Sequence, residues 1–527
     1  MATELINGYG EAGGVVGLRL LSFVGIAVHW YILQYSIGLF SLAVTLEIIG
    51  RWKNNEEALH IAKTLSKVGV VIFAVGAGTG TMGEFGLVLF WPNLLQLVGR
   101  YFFFPMYLEV FLFVAEVIFV YLYYYTWDRV DPKFHIMTGI AAAGGALLSG
   151  LLILSVNALM QVPPGLIPGY DPISGIWSEP SFNLFLPGAA AASEIPASVV
   201  QGLVQNDMAT FQDVLRATVS QIGVMAIVLT GPAVLVSTAH TLAAAINVSV
   251  LTVLGVYIFR YARADDEKYK LFYGNGIKLM TRIGLIAMAF QGIVIGHFRG
   301  EMVAHYNPEK FAAMEGQSET IVNIPEMFFL DWLIEPFFAF ISYGFNPNAK
   351  LPNWDSIPTL WQPPLIIHYI YYAKIGVAMG LGLLLIAFVV FFYGLKKDLD
   401  FIPTKVRKPL LYLLGVGIPL GINFVATAGW MTKEIGRKPW TVYGMIRADQ
   451  AATTVPIAWY IIIGVILYST LLLVGTMLLV FFLFRHQNLP DLYSEGGDDK
   501  AEEDGSVPET ETAGGDDSAP AEVEEVS

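Results

Sequence analysis

Ionisable side chains within strongly apolar segments are the first feature of this sequence that could carry chemistry. His29, His240, Glu109 and Glu116 all lie in such segments. A titratable group surrounded by hydrocarbon is costly unless it is paired or ligated, so each is a candidate for proton transfer or metal ligation. The chain has 8 histidines and no cysteine, which excludes thiolate-bound zinc, thiolate-bound haem and iron-sulfur clusters. A metal centre would therefore use His, Met or carboxylate ligands.

The spacing of these residues separates two kinds of chemistry. Glu109 and Glu116 are seven residues apart, which is about two helical turns and one helix face. Two carboxylates stacked in this way suit a proton relay better than metal chelation. His29 and His240 are predicted to lie at a similar depth, which favours ligation, and in an aromatic-rich bundle such ligands fit haem better than zinc. The residues alone thus indicate a redox or proton-coupled membrane protein.

Membrane-spanning helices must position these residues. Of the 527 residues, 55% are hydrophobic and only 14% are charged, whereas a soluble domain carries about 25% charged residues. We predict an all-α integral membrane protein with about nine spans of the length that crosses a bilayer, at residues 18–48, 64–91, 101–126, 136–161, 233–261, 278–296, 366–392, 410–429 and 457–484. The apolar run 219–231 is too short to span and is interpreted as a surface helix. The polar start of the chain predicts insertion without a cleaved signal peptide.

Basic residues in the connections predict the orientation, because Lys and Arg favour the cytoplasmic side. The connections after the first, third, fifth and seventh spans are basic, whereas the stretch 162–232 holds a single basic residue, Arg216. We therefore expect the N-terminus outside and the C-terminus inside. One group of basic residues falls on the predicted outer side and is interpreted as functional: Lys433, Arg437, Lys438 and Arg447.

Two segments differ from plain helix connections. Residues 297–364 are too many for a simple loop in a helical bundle, and this external connection is a candidate substrate site. Residues 488–527 are acidic and poor in apolar residues, and they account for most of the net charge of −14. This tail is predicted to be disordered and cytoplasmic. Residues 1–487 then form the membrane-embedded part.

Four segments resemble signature stretches of subunit I of the cytochrome bd quinol oxidases. They are GTGTMGEFGLVLFW (78–91), SVNALMQVPPG (155–165), NPEKFAAMEG (307–316) and GWMTKEIGRKPW (429–440). The last closely matches the family pattern GW-x3-E-x-GR-x-PW, and it accounts for the basic residues on the predicted outer side. The segments occur in the family's order, and the resemblance extends from about residue 19 to residue 484.

The resemblance implies three haems in one chain, two of them haem b and the third either haem d or another haem b. His240 corresponds to a ligand of the low-spin haem b, whose second ligand in the family is a Met. That Met aligns on Gly376 without a gap, so Met379 is predicted to replace it through a small local shift. His368 is the alternative ligand.

The high-spin haems take further residues from the same resemblance. His29 and Glu434 correspond to their axial ligands, and which haem each residue holds stays open. Trp430 and Arg437 are expected to flank this haem pair. Glu109 is expected beside the oxygen-binding site, although its spacing to the next carboxylate is one residue shorter than in the family.

Lys374 stands where the family has Arg and would meet a haem propionate as a point charge. Lys310 and Glu315 match the Lys-x4-Glu arrangement that takes part in quinol oxidation in the family. A carboxylate within hydrogen-bond reach of a quinol hydroxyl can accept its proton, and an external site would release that proton outside. Glu116 and Ser149 match part of the family's path for protons taken up from inside. Charge separation would then need no pumping step.

The resemblance also implies a second membrane subunit, quinol and dioxygen as substrates, and the cell membrane of a prokaryote, with no nucleic-acid partner. The residues themselves leave another class of function open, a proton- or cation-coupled transporter that uses the intramembrane Glu and His residues. The sequence has no internal repeat or pair of broken helices typical of transporters. A haem-free structural subunit is the third possibility, against which the presence of His29, His240 and Glu434 argues.

Overall fold

The computed structural model describes residues 2–390, 403–453 and 459–485, with nearly all side chains from Ser22 onward. The tail predicted at 488–527 lies outside these residues. Eight of the described helices are long and apolar enough to cross a membrane, and one bent pair of shorter helices could form a further span. Within the described residues, each of the nine predicted spans coincides with a helix, so the predicted helical membrane fold is confirmed.

The chain begins with four long helices, in which the first packs along the second and the third along the fourth. Asn55 begins the second helix, because its side chain accepts a hydrogen bond of 2.9 Å from the N–H of Ala58. Trp91 alone separates the second helix from the third, since Pro92 lacks an N–H and fits only a first helical turn. The four helices are α1 (Ala2–Trp52), α2 (Glu56–Phe90), α3 (Pro92–Tyr125) and α4 (Pro132–Gln161).

The connection after α4 combines short strands with short helices. It contains β1 (Leu166–Ile167), β2 (Tyr170–Asp171), β3 (Ile176–Trp177), β4 (Ser181–Leu184), β5 (Ser193–Pro196), α5 (Ala197–Asn206), α6 (Met208–Ile222) and α7 (Val224–Thr230). Strands β1, β4 and β5 form an antiparallel sheet in that order, and β2 pairs with β3. Helices α6 and α7 meet at 77°. The bend lies at Gly223, whose φ of 83° favours glycine, so the apolar run predicted at 219–231 is divided between two helices.

The next two membrane helices are α8 (Val234–Arg263) and α9 (Glu267–Ala289), and α9 continues through a π-helical turn (Phe290–Ile295) into α10 (Gly296–Tyr306). Together α9, the turn and α10 make one span of 40 residues. The sequence predicts a loop from residue 297, but the helix continues to Tyr306. The polar residues there remain helical because they find partners, as Arg299 does when its Nη2 donates to Gln161 Oε1 at 3.0 Å.

The connection after α10 consists largely of short helices, α11 (Pro308–Glu315), α12 (Ile324–Met327), α13 (Asp331–Ser342) and a 3₁₀ turn (Trp354–Ser356). Gly316 ends α11 in the left-handed conformation, with φ of 72°. A Cβ atom at Gly316 would lie 2.6 Å from the His368 ring, so only glycine fits this close approach. The chain continues through α14 (Ile366–Val389), α15 (Thr404–Ile435), β6 (Trp440–Val442), β7 (Ile446–Arg447), α16 (Ala448–Ala451) and α17 (Trp459–Arg485).

Three connections meet at one end of the helix bundle, in a layer that we call the cap: residues 162–233, 307–365 and 436–453. The Glu309 carboxylate joins all three, because it accepts hydrogen bonds from Trp177 Nε1 at 2.7 Å and from the Tyr443 hydroxyl at 2.6 Å. The centres of the Trp361 and Trp440 rings lie 4.7 Å apart. One apolar core runs through the three connections, so the cap is a packed layer that closes this end of the bundle.

Candidate functional site

A cavity of about 780 Å³ lies below the cap, between α1, α8, α10, α14 and α15. This volume is typical of pockets that enclose a sizeable ligand. Most of the cavity wall is apolar, and it contains eight of the residues predicted from the sequence: His29, His240, Lys310, Glu315, Lys374, Met379, Trp430 and Lys433. Glu109, Glu116, Ser149, Glu434 and Arg437 lie outside this lining.

His240 lies on α8, opposite the π-helical turn. Its backbone carbonyl accepts a hydrogen bond of 3.2 Å from Gln291 Nε2, and Gln291 in turn accepts one of 2.6 Å from Asn247. These bonds fix this part of α8 against the turn. The His240 Nδ1 atom is buried without a hydrogen-bond partner. A buried polar atom without a partner is rare in folded proteins, and an imidazole in this state is suited to a ligand within the cavity.

His29 is oriented by α2. Its Nδ1 lies 3.1 Å from the Thr79 hydroxyl, which donates its own proton to the carbonyl of Gly76 at 2.9 Å. Thr79 Oγ1 therefore accepts from Nδ1–H, which leaves the lone pair on Nε2, the arrangement that suits an imidazole metal ligand. A Cβ atom at Gly80 would lie 2.9 Å from the His29 ring, so this glycine makes room for the imidazole.

Both oxygens of the Glu434 carboxylate have partners. Oε1 accepts a hydrogen bond of 2.9 Å from Asn157 Nδ2, and Oε2 accepts one of 2.7 Å from Arg437 Nη2. Asn157 also accepts from Gln161 at 3.3 Å, and Gln161 accepts from Arg299 at 3.0 Å. A polar chain thus runs from α15 through α4 to α10.

Arg437 keeps two unused donors in this chain. Its Nε and Nη1 atoms are buried and have no partner. Guanidinium groups bind carboxylates through two parallel hydrogen bonds. The unused donors of Arg437 are therefore suited to an anionic group such as a haem propionate.

Met379 and Lys374 both lie on α14 and line the cavity with His240. The Lys374 ammonium lies 4.6 Å from the centre of the Tyr371 ring, a cation–π contact. His368, the alternative ligand, has other partners: its Nδ1 donates to the carbonyl of Met314 at 2.8 Å, and its Nε2 accepts from the N–H of Ile324 at 2.9 Å. With both ring nitrogens engaged, His368 anchors the cap to α14, and the geometry argues against it as a haem ligand.

Glu109 and Ser149 are in direct contact, although the sequence relates them to two different functions. The Ser149 hydroxyl on α4 donates a hydrogen bond of 2.9 Å to Glu109 Oε1 on α3. Glu116 is 5% exposed, and a Cβ atom at Gly145 would lie 3.5 Å from its Cβ. The three polar residues therefore line the α3–α4 contact at successive levels.

Glu315 ends α11 at the cavity. Its Oε2 accepts a hydrogen bond of 2.9 Å from the Tyr372 hydroxyl, and its Oε1 is buried without a partner. Burial raises the pKa of Glu315 to about 7, against the opposing effect of hydrogen bonds from Tyr372 and Tyr371 and of the Lys374 charge. A carboxyl with this pKa can both take up and release a proton near neutral pH.

Lys310 lies on the same helix and is 4% exposed. Its Nζ donates to the backbone carbonyl of Lys433 at 3.3 Å. Burial, reinforced by the charges of Arg299 and Lys433, lowers the pKa of Lys310 well below its usual range, although Glu434 opposes this effect. Lys310 and Glu315 both line the cavity, so both can face a common ligand.

Several residues of this site are not singled out by the sequence reasoning. Asn157 and Thr79 lie within the signature segments, so the sequence draws attention to their segments. It does not predict which side chains these two residues contact. Arg299 is a charged residue close to a predicted span, which could have identified it. Gln161 and Tyr372 have no distinguishing pattern, because nothing local predicts which distant side chain they meet.

The donor set fits haem. The cavity wall offers imidazole, thioether and ammonium groups, and haem iron is commonly bound by His or by His with Met. The wall also has open space, because a Cβ atom at Gly292 or Gly300 would meet no atom within 4 Å. The His240 Nδ1 atom, which is buried without a partner in this wall, supports the match.

Comparison with known proteins gives a consistent result. The model of the family described as "Cytochrome bd terminal oxidase subunit I" matches residues 18–488. A Bacillus subtilis (strain 168) protein provisionally named cytochrome bd menaquinol oxidase subunit I is 24% identical over 479 residues, 88% of this chain and 95% of that protein. The cytochrome bd ubiquinol oxidase subunit 1 of the same organism is 24% identical over 487 residues, 87% of this chain and 90% of that protein.

A solved structure has a similar fold. The bd oxidase structure from Geobacillus thermodenitrificans superimposes with a TM-score of 0.68 at 22% sequence identity. The match covers 91% of this chain and 100% of the other chain. The arrangement of helices described above is thus shared over nearly the whole length of both chains.

Proposed function

The chain belongs to the cytochrome bd terminal oxidase subunit I family, and we propose that its cavity couples quinol oxidation below the cap to haem-bound oxygen reduction deeper in the bundle. Membership makes it a quinol oxidase subunit of the membrane-bound respiratory chain. The observation that supports the finer proposal is the single cavity shared by His29, His240, Lys310 and Glu315. It joins candidate haem ligands to candidate quinol-binding groups.

Four residues are proposed to hold haem iron. His240 and Met379, which line the cavity from two helices, would bind a low-spin haem b. His29, with its lone pair on Nε2, and Glu434 would bind the high-spin pair, of which one is haem b and the other haem d or a third haem b. Bound haem would carry electrons from quinol to dioxygen. Lys374 and Arg437 would meet haem propionates, and Trp430 lies beside the Glu434 site on the same helix.

Glu315 and Lys310 are proposed to bind quinol. The Glu315 carboxylate, with a pKa of about 7, would accept the hydroxyl proton of quinol as the electrons leave. The buried Nζ of Lys310 can donate a hydrogen bond to the other quinol oxygen. One relative is named for menaquinol and the other for ubiquinol. The proposed substrate is therefore a quinol, and the type of quinol is not part of the proposal.

Glu116, Ser149 and Glu109 are proposed to carry protons toward the oxygen site. The Ser149–Glu109 hydrogen bond of 2.9 Å supports this path. Basic residues at the end of the bundle opposite the cap, among them Arg51, Lys63 and Arg129, support a cytoplasmic position for that end. Protons would then be taken up inside and released at the cap outside, which separates charge without a pump.

A second membrane subunit and a prokaryotic cell membrane complete the proposal. Only 17% of the α3 span is buried within the chain, and its exposed side chains include Tyr107, Phe111 and Ile118. Such a face needs lipid or another membrane protein against it. Position in the cell membrane follows from the family's role in respiration.

An absorption spectrum of the purified protein after dithionite reduction tests the proposal. Haem bands, together with oxygen consumption driven by added quinol, are the expected result. Haem analysis after extraction would identify the third haem as b or d. A protein without haem bands would contradict the proposal.

A further inference from the structure

The connection between α11 and α14 contains a run of apolar side chains on the surface. We call residues 322–345 the apolar segment; it comprises α12, α13 and the turns beside them. Its most exposed large side chains are Phe329 at 84%, Trp332 at 71%, Phe328 at 66%, Phe345 at 58%, Met327 and Val322 at 57%, Phe337 at 53% and Leu333 at 51%. An exposed apolar surface of this extent indicates contact with a membrane or another protein.

Helix α13 is apolar around most of its circumference. Of its 12 residues, only Ala339 and Ser342 are buried. Its two charged residues are Asp331 and Glu335, and Glu335 accepts hydrogen bonds from Gln317 at 3.0 Å and Asn323 at 3.1 Å. A helix that is apolar on all sides belongs in a core or a membrane, and 12 residues are too few to cross a bilayer.

The apolar segment packs against a membrane span. The Tyr343 hydroxyl donates to the carbonyl of Ala304 on α10 at 3.3 Å, and the Phe345 ring stacks on His297 with 5.6 Å between ring centres. On the same span, Ile293 is 74% exposed and Phe298 is 52% exposed. The exposed face of the apolar segment is therefore continuous with the exposed apolar surface of a span.

We propose that the apolar segment lies in the lipid bilayer, at the boundary between acyl chains and head groups on the cap side. Aromatic residues such as Phe329 and Trp332 favour this boundary. The segment contains no Lys or Arg, so its partner is the apolar acyl-chain region rather than an anionic head group.

This lipid contact places the cavity opening within the membrane. Phe337, Phe338 and Ile341 of α13 line the cavity, and so does Ile293 of the π-helical turn. Ile293 and Phe337 are also exposed, so the cavity reaches the surface at these two residues. If the proposed function holds, quinol dissolved in the bilayer reaches Glu315 by this lateral route.

The absence of cysteine from the chain makes a depth measurement straightforward. Phe329→Cys and Trp332→Cys would be labelled with a nitroxide in the full-length protein, with its native partner subunits, in phosphatidylcholine vesicles. Power-saturation EPR then compares collisions with dissolved oxygen, which concentrates in lipid, and with a water-soluble nickel chelate. Ile176→Cys is the matched control, because Ile176 is an apolar residue of the cap, 65% exposed, outside the apolar segment. The unsubstituted sample, treated with the same label, gives the background.

The proposal predicts a higher ratio of oxygen to nickel collisions at residues 329 and 332 than at residue 176. Collisions with nickel equal to those of the control would show a surface in water and overturn the proposal. Protection from both reagents would show a covering protein, either the second subunit or another copy, and would also overturn it.

The lateral route is tested separately from the proposed function, so that one can be refuted without the other. Ile293→Trp narrows the opening and is expected to raise the KM for a long-tailed quinol, with little effect on a short-tailed soluble quinol. Equal KM values for the parent and the variant would refute the route alone. A parent protein that oxidises neither quinol would refute the proposed function instead.

Discussion

The side-chain amide of Asn157 on α4 donates a hydrogen bond of 2.9 Å to the Glu434 carboxylate at the end of α15, across 277 residues of sequence. Arg437 donates to the other oxygen at 2.7 Å. Both oxygens of a proposed haem ligand are thus oriented by neighbouring side chains. Partners of this kind hold metal ligands in position, and their loss typically costs about 10- to 100-fold in affinity or activity.

Asn157→Leu keeps the side-chain size but removes the donor to Glu434. We expect the affinity for the high-spin haem at Glu434 to fall by about 10- to 100-fold. The measurement is the loss of high-spin absorption per mole of protein. Asn423→Leu is the control, because Asn423 lies on the same helix as Glu434 but donates to Tyr35 at 2.8 Å. Equal spectra of the two variants would argue against this role of Asn157.

Glu315 gives a pH dependence with a defined sign. Burial raises its pKa to about 7, and only the ionised form can accept a proton from quinol. At limiting quinol, the rate should therefore rise with pH up to about 7 and level off above it. Glu315→Gln should lower the rate by about 10²- to 10⁴-fold, the usual contribution of a general base, and should remove this pH dependence. A variant that retains the parent pH profile would exclude Glu315 as the base.

Tyr372→Phe tests the same carboxyl without removing it. The Tyr372 hydroxyl donates to Glu315 at 2.9 Å, and this hydrogen bond lowers the pKa of the carboxyl. Its loss should raise that pKa, so the rise in rate should move to a higher pH. Quinol-dependent oxygen consumption between pH 5.5 and about 9 covers the range in which a carboxyl with a raised pKa titrates. A shift toward acid would contradict the assignment.

The hydrogen bond between Ser149 and Glu109 predicts coupled effects on turnover. Ser149→Ala removes the donor and Glu109→Ala removes the acceptor, and a hydrogen bond to a charged acceptor contributes about 1.5–3 kcal/mol. If both residues act through this bond, the double variant should be no slower than the slower single variant. A double variant whose loss equals the product of the two single losses would show that the residues act independently.

Glu309 is predicted to hold the cap together. Glu309→Ala would leave the buried Tyr443 hydroxyl and the part-buried Trp177 Nε1–H without their acceptor, and a buried donor without a partner costs about 1–3 kcal/mol. Thermal unfolding should move to lower temperature, and the KM for quinol should rise because α11 also carries Lys310. Glu326→Ala removes an exposed carboxylate from the same connection and serves as the control. The same unfolding temperature for both variants would contradict this role.

Hydropathy is sufficient to predict the helices, because each span must satisfy its backbone hydrogen bonds within apolar surroundings. It fails at α10, where the polar sequence GHFRGEMVAHY suggests a loop while the chain stays helical to Tyr306. A hydropathy window responds to the charge of Arg299 and cannot register the Gln161 acceptor on another helix. The strands in the cap are two to four residues long, too short for a detectable alternation.

The sequence likewise predicts one part of the candidate site and does not predict another. Residue types and motifs predict His29 and His240 as ligands, because histidines within apolar segments are few and these two segments are distinctive. They do not reveal that both ring nitrogens of His368 form hydrogen bonds to the cap. The partners in these hydrogen bonds are a carbonyl and an N–H that are distant in sequence. Contacts between remote residues are the part of the site that only the folded chain supplies.

The reduced absorption spectrum of His240→Ala is the most direct test of the account. His60→Ala is the control, because His60 lies near the start of α2, where its ring packs on Phe272, outside the cavity lining. After dithionite reduction, His240→Ala should lack the low-spin haem b band and keep the high-spin bands, whereas His60→Ala should keep all of them. An unchanged low-spin band in His240→Ala, or loss of the high-spin bands alone, would contradict the account.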